Sequence, residues 1–257
     1  MKMIARRDLS AKDRLIVALD VPDLEAARSA MQLLKDDVGM FKIGLELFTA
    51  CGVVLFDLAR ELGVRVFFDT KFHDIPNTVA QASGAATRHG VNMFNLHALG
   101  GRAMMEAAAR AVCDSVKDAH LRPALIAVTI LTSTSQDQLR ADLCIDDPPL
   151  EQMVLHLARM ACDSGMDGVV ASAREAKAIR AAMADHDQFL IVTPGIRPAW
   201  SVANDQVRIV TPADAIADGA DYLVVGRPIM AAADKKSAAR RIVDEMEIGR
   251  ASCRERV

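Results

Sequence analysis

Residues Phe67 to Thr78 read F-F-D-T-K-F-H-D-I-P-N-T, and an apolar run of Val64, Val66, Phe67 and Phe68 climbs directly into the charges. Asp69, Lys71 and Asp74 fall within six positions. If the strand runs to about Lys71, its two-residue period puts Asp69 and Lys71 on one face, whereas on a helix they would diverge. The end of a buried strand fits them better. Two carboxylates about 4 Å apart would repel by roughly 4 kcal/mol at an effective dielectric of 20, so an interposed lysine lets both stay ionised. Downstream, Pro76 withdraws a donor and moves Ile75 out of helical geometry. Thr78 and Gln81 have the spacing of a capping box ahead of an alanine-rich helix. Taken alone, D-x-K-x-x-D also describes a solvated turn with incidental charges.

Outward from this stretch, strand and helix patterns alternate along the chain, which predicts a parallel α/β architecture. The strand candidates are Arg14 to Leu19, Met40 to Ile43, Arg65 to Phe68, Met93 to Leu96, Ala124 to Leu131, Gly168 to Ala171, Phe189 to Thr193 and Tyr222 to Val225. Helical patterns follow each of them: Leu24 to Leu34, Leu47 to Leu62, Thr78 to Arg88, Gly101 to Val116, Leu150 to Ser164, Ala173 to Ala184, Pro212 to Asp218 and Asp234 to Met246. Eight such units predict a single-domain (β/α)8 TIM barrel over residues 1–247, with its chemistry at the carboxyl ends of the strands. The charged segment after Ser135 reads as a surface excursion.

A length of 257 residues with 51% hydrophobic content suits one large core. A net charge of -3 gives no basic footprint for nucleic acid and no reason to invoke a membrane surface, so small molecules are the expected partners. The five cysteines form no C-x-x-C pair and no cluster with metal-ligand spacing, and they read as reduced packing thiols. The first ten residues lack an apolar signal core and no run approaches a membrane span. A cytoplasmic location is the default expectation.

Each strand end offers a candidate. Alternation points Ile16, Ala18 and Asp20 one way, so Asp20 either faces the barrel mouth or caps the following helix. Lys42 lies between Phe41 and Ile43 and either faces the lumen, where it needs Asp20 or Asp69 as a partner, or snorkels at an exposed strand end. His97 reads as a structural residue beside the site. Thr132 and Ser133 either face a polar ligand edge or cap a turn, and Ser172 reads as a helix cap. Strands seven and eight end in T-P-G-I-R-P and V-V-G-R-P. Gly195, Arg197, Gly226 and Arg227 thus form a candidate phosphate site, with Gln206 as a contact from the long loop between them, although the glycines also suit plain turns.

The D-T-K-F-H-D-I-P-N-T motif resembles the signature of the orotidine 5'-phosphate decarboxylase family. The likeness extends from about Arg14 to about Glu247 and includes V-A-L-D at Val17 to Asp20, F-K-I-G at Phe41 to Gly44, L-I-A-V-T-I-L-T-S, T-P-G-I-R-P and V-G-R-P. The resemblance implies a carboxy-lyase that uses no cofactor and no metal. It makes Lys71 the proton donor to the pyrimidine carbon left after carbon dioxide departs, with Asp69 beside the substrate carboxylate and Lys42 holding Asp69 and the ribose. It further implies that Asp20 binds ribose hydroxyls and that Thr132 reads the pyrimidine amide edge. Arg197, Gln206, Gly226 and Arg227 would hold or cover the phosphate. Members of the family are homodimers, so Asp74 and Thr78 are expected to reach into the partner's site. The rival readings are a magnesium-dependent barrel such as hexulose-phosphate synthase, which shares D-x-K-x-x-D, and a catalytically silent phosphate-binding barrel. Finally, Ile248 to Val257 carry three arginines and no apolar period. They resemble a translated adapter read-through with nothing to pack against, outside the expected domain.

Overall fold

A computed structural model describes residues 6–201 and 210–254. Within them the strands are β1 (Leu15–Ala18), β2 (Met40–Ile43), β3 (Val66–Phe72), β4 (Met93–His97), β5 (Ala124–Val128), β6 (Gly168–Val170), β7 (Leu190–Pro194) and β8 (Tyr222–Val225). They pair in chain order, and β8 pairs back onto β1 in parallel to close the barrel. The expected architecture is therefore the observed one.

Period-2 alternation divides the apolar residues between two layers. Ile16, Met40, Phe67, Met93, Ile126, Val192 and Tyr222 fill the lumen. Leu15, Val17, Phe41, Ile43, Phe68, Phe94 and Leu223 face the surrounding helices. Burying each such side chain is worth about 1.5–3 kcal/mol, and a one-residue slip would exchange the two layers, so register is strongly specified. Lys42 alternates with Phe41 and Ile43 and accordingly points into the barrel.

The helices depart from expectation at identifiable places. The residue that caps helix Leu24–Leu34 is Asp23, whose Oδ1 accepts from the Ala26 amide at 2.8 Å; Asp20 is left for other contacts. The segment expected as one helix over 47–62 is two, Leu45–Cys51 and Val54–Leu62, because Gly52 between them adopts φ +70°. Helix Pro76–Arg88 begins with Pro76 in its first turn and has Ile75 as an N-cap with no side-chain bond. Thr78 therefore lies inside the first turn and caps nothing. Proline supplies helical φ there without a donor to satisfy, which makes the Thr78–Gln81 box redundant. β5 ends at Val128 and not Leu131. The excursion after Ser135 contains helix Gln136–Leu143, closed by a reciprocal Ser135–Gln138 capping box. Ser172 is also a cap, paired with Glu175 at the start of helix Ala173–Ala182.

The last helix, Lys235–Arg254, continues beyond the expected Met246 and through most of the tail. The expectation that the tail has nothing to pack against is corrected by Gly249, which is buried; a Cβ built there would lie 2.3 Å from the Ala213 carbonyl oxygen. A residue without a side chain lets this helix approach the short helix Pro212–Ala217. No described helix is long and apolar enough to cross a membrane.

The two ends of the barrel differ in character. At the amino-terminal floor, buried Asp221 accepts from Arg6 Nε at 2.6 Å, Arg180 Nη2 at 2.5 Å and the Ile191 amide at 2.8 Å. Arg65 Nη2 similarly bonds Asp13 Oδ1 at 2.5 Å. A cavity of about 620 Å³ lies on this side, among Val66, Asn92, Arg88 and Lys117. The sequence-predicted site residues that are described belong to the opposite, carboxyl-terminal rim.

Candidate active site

Phe67 is buried in the lumen and lines the cavity at its mouth, where the side chains change from apolar to charged. Lys42 is one step up β2 from the Met40 layer, and its Nζ lies 3.5 Å from Asp20 Oδ1 and 3.4 Å from Asp69 Oδ2. Lys71 Nζ then donates to the other oxygen of Asp69 at 2.6 Å. The result is a continuous row, Asp20, Lys42, Asp69, Lys71, with the signs alternating. Of the two alternatives for Lys42, lumen-facing and partnered is the observed one, and both proposed acids serve. Lys42 and Asp69 are largely buried, with side-chain exposures of 12% and 13%. Asp20, at 60%, is open to solvent.

Glycines make room for this row. A Cβ at Gly44 would come within 2.8 Å of Lys42 Nζ, and one at Gly226 within 3.2 Å of Asp20 Oδ2. The glycines of F-K-I-G and V-G-R-P thus accommodate neighbouring charges, beyond any role in turns.

Asp69 is held ionised by its neighbours. Burial on its own raises a carboxyl pKa, but Lys42 and Lys71, with hydrogen bonds from Lys71 and Asn95, outweigh it and hold Asp69 below the ordinary carboxylate range. Apolar surroundings strengthen these interactions. The cavity above the row, about 210 Å³, is lined by Lys42, Asp69 and Lys71 on one side and by Phe67, Val128, Ile130, Leu131, Val170, Pro194 and Val224 elsewhere. Thr132 is the hydroxyl on its wall.

Asp69 and Lys71 do share the lumen, though not through a regular strand. Phe68 pairs with Phe94 and Phe72 with Leu96, so four steps along β3 match two along β4. Lys71 adopts φ +53° in this bulge. Its amide donates to Asn95 Oδ1 at 2.7 Å, while Asn95 Nδ2 donates to Asp69 Oδ1 at 2.7 Å. Sequence reasoning missed Asn95. The available signal was its lumen-facing position two before His97 on β4, where a buried amide needs partners.

Asp74 does not join the row within one chain. It is exposed, and its Oδ1 accepts from the adjoining Ile75 amide at 2.6 Å. Thr78 is likewise exposed. His97 is 5.5 Å from His73, ring to ring. Its imidazole is pushed towards the neutral form by burial first, then by His73 and Lys71.

At the far side of the mouth, Gly195 after β7 has φ +78°, a conformation that glycine adopts without strain. Arg197 follows it and Arg227 follows β8. The Arg197 pKa is lowered, by burial and then by the neighbouring Arg227. Two guanidinium groups that repel each other at a barrel rim suit a shared anion. Gln206 lies outside the described residues.

Comparison with known proteins accords with this geometry. A sequence model described as "Orotidine 5'-phosphate decarboxylase / HUMPS family" matches residues 13–242. A protein named orotidine 5'-phosphate decarboxylase from Trichlorobacter lovleyi is 53% identical over 239 residues, covering 93% of this chain and 97% of that one. Its namesake from Moorella thermoacetica is 51% identical over 241 residues, covering 93% and 94%. The crystal structure of orotidine 5'-phosphate decarboxylase from Lactobacillus acidophilus superposes with a TM-score of 0.80 at 38% identity, covering 90% of this chain and 98% of that one. Together with the closed barrel and its row of alternating charges, these matches show that the chain belongs to the orotidine 5'-phosphate decarboxylase / HUMPS family.

Proposed function

We propose that this protein converts orotidine 5'-monophosphate to uridine 5'-monophosphate and carbon dioxide, in pyrimidine nucleotide synthesis, by charge placement and without a cofactor. The observation that carries the reading is the Asp20, Lys42, Asp69, Lys71 row at the mouth of an apolar cavity, with Lys71 Nζ 2.6 Å from Asp69. As the carbon–carbon bond breaks, its electron pair stays on the ring carbon. A fixed ammonium stabilises that charge and then supplies the proton, while solvent restores the lysine. Lys71 is the donor in this scheme. Asp69, ionised and turned towards the same cavity, stands beside the substrate carboxylate and disfavours it relative to the carbanion.

The remaining roles are those that the family resemblance suggests. Lys42 holds Asp69 and meets the ribose, Asp20 takes ribose hydroxyls, and Thr132 meets the pyrimidine amide edge. Arg197, Gly226 and Arg227, with Gln206, hold the phosphate. Asp74 and Thr78 complete the site of a second copy in a homodimer; their exposure, and that of the adjoining Ile75 at 67%, supports an interface there. Residues 1–247 form the working domain in this reading.

The test is loss of orotidine monophosphate absorbance in chelator-treated buffer, comparing the full chain with Lys71→Ala. Turnover that is metal-independent and abolished in the variant is expected. Retained turnover in Lys71→Ala would remove the central assignment, and a strict magnesium requirement would favour a sugar-phosphate reaction. A substrate lacking the phosphate is expected to lower turnover as well as affinity, since remote binding energy orders the site.

A further inference from the structure

Asn95 is fully buried on β4, with 0% of its surface exposed. Both of its side-chain hydrogen bonds nonetheless reach the charged end of β3. Nδ2 donates to Asp69 Oδ1 and Oδ1 accepts from the Lys71 amide, both at 2.7 Å. Its own carbonyl accepts from Thr70 Oγ1 at 2.9 Å. Three consecutive residues are thereby tied to one asparagine. Lys71 is one of two described non-glycine residues with positive φ, and the left-handed region is unfavourable for a lysine unless something outside the strand enforces it. The bond to its amide supplies that constraint. A side-chain amide carries a donor and an acceptor at fixed separation, so it can grip a carboxylate and a backbone N–H at once.

We infer that Asn95 is a positioning residue for the Asp69–Lys71 pair. It pins the bulge that turns the Lys71 ammonium onto Asp69 and fixes the carboxylate orientation, a role that rests on the charge-driven decarboxylation proposed above. Asp69 then presents Oδ1 to Lys71 and Asn95, and Oδ2 to Lys42. Each oxygen has a fixed assignment, so neither lysine can capture the carboxylate alone. Asn95 does not line the cavity above the row. It therefore acts through the pair and not on the substrate.

Two variants of the full chain test this. Asn95→Ala removes both grips, and misplacement of reacting groups by about 1 Å can cost on the order of 100-fold in rate. Its kcat/KM with orotidine monophosphate is expected to fall by about that factor, while binding of uridine monophosphate changes little. Asn95→Asp keeps the acceptor for the Lys71 amide but sets a second carboxylate against Asp69. That pair must share a proton, so activity should fall as pH rises, giving a descending limb absent from the unmodified protein. A residue that merely braced the fold would produce no such limb. Independently of turnover, the Asp69 carboxyl, followed by carbon-13 NMR and assigned with Asp69→Asn, should titrate higher in either variant. Should Asn95→Ala fail to fold, the isosteric Asn95→Asp decides. An Asp69 titration unchanged in the folded variants, or a kcat/KM for Asn95→Ala close to that of the unmodified protein, would overturn the role. If the unmodified protein does not decarboxylate orotidine monophosphate, the proposed function falls, and the carboxyl titration still decides whether Asn95 governs the pair.

Discussion

Replacing Asp69 with asparagine tests the electrostatic logic of the site without altering its volume. Asp69 lies 3.4 Å from one ammonium and 2.6 Å from the other. At an effective dielectric of 20, those separations correspond to gross attractions of about 5 and 6 kcal/mol. Desolvation of three partly buried ions offsets most of this, so the intact row is close to neutral for stability. The neutral variant keeps the desolvation cost of both lysines, removes the counter-charge of Lys71 and leaves Lys42 with the more exposed Asp20 alone. Breaking a buried pair in this way typically costs 3–5 kcal/mol, and the 31% exposure of Lys71 argues for the lower bound, about 3 kcal/mol. For a chain of this size that is a fall of roughly 6–12 °C in unfolding temperature.

The deficit should depend on pH. Asp69 has a folded-state pKa below its ordinary value of 3.8, so its contribution to stability is present above about that pH and is lost as pH falls through the folded value. The unmodified protein and Asp69→Asn should therefore converge in stability as acid is approached. Urea unfolding between neutral pH and about pH 3 would show this. A variant as stable as the unmodified protein at neutral pH, or a deficit that stays constant into acid, would refute the account of Asp69 as the counter-charge for two lysines.

Arg227→Ala should raise KM for the nucleotide roughly 10- to 100-fold, the loss expected for one charge-assisted bond to phosphate; steady-state kinetics with an unchanged KM would take Arg227 out of the anion site. Tyr222 is the only tyrosine, is fully buried, and has a hydroxyl whose pKa burial pushes up to about 12. Its ultraviolet titration should stay silent through pH 10 while the protein is folded. Because the folded pKa is raised, stability should drop as pH climbs from about 10 towards 12, by about 3 kcal/mol in all. Truncation after Glu247 should leave turnover unchanged. Gly249→Leu, by contrast, would force a side chain towards the Ala213 carbonyl and should lower the unfolding temperature more than the truncation does.

Local pattern was enough to reveal the barrel, because strand alternation and βα repetition are properties of neighbouring residues. Period-2 counting put Lys42 and Asp69 in the lumen from one strand at a time, and apolar burial enforces that register. The positions of Asp20, Thr132, Arg197 and Arg227, just beyond the strands, followed from reading the segment after each strand. Other features depend on which distant segments meet. Asn95 reaches Asp69 across 26 positions of sequence, and the bulge at Lys71 exists because β4 supplies a partner for its amide. Gly44 and Gly226 are constrained by ammonium and carboxylate groups beside them in space, and Asp74 turns onto its own neighbour. The amino-acid sequence alone determined the class of fold and the rim where charge collects. Only tertiary packing decided the order in which those charges touch, since hydrogen-bond distances between strands depend on barrel closure and not on any local periodicity.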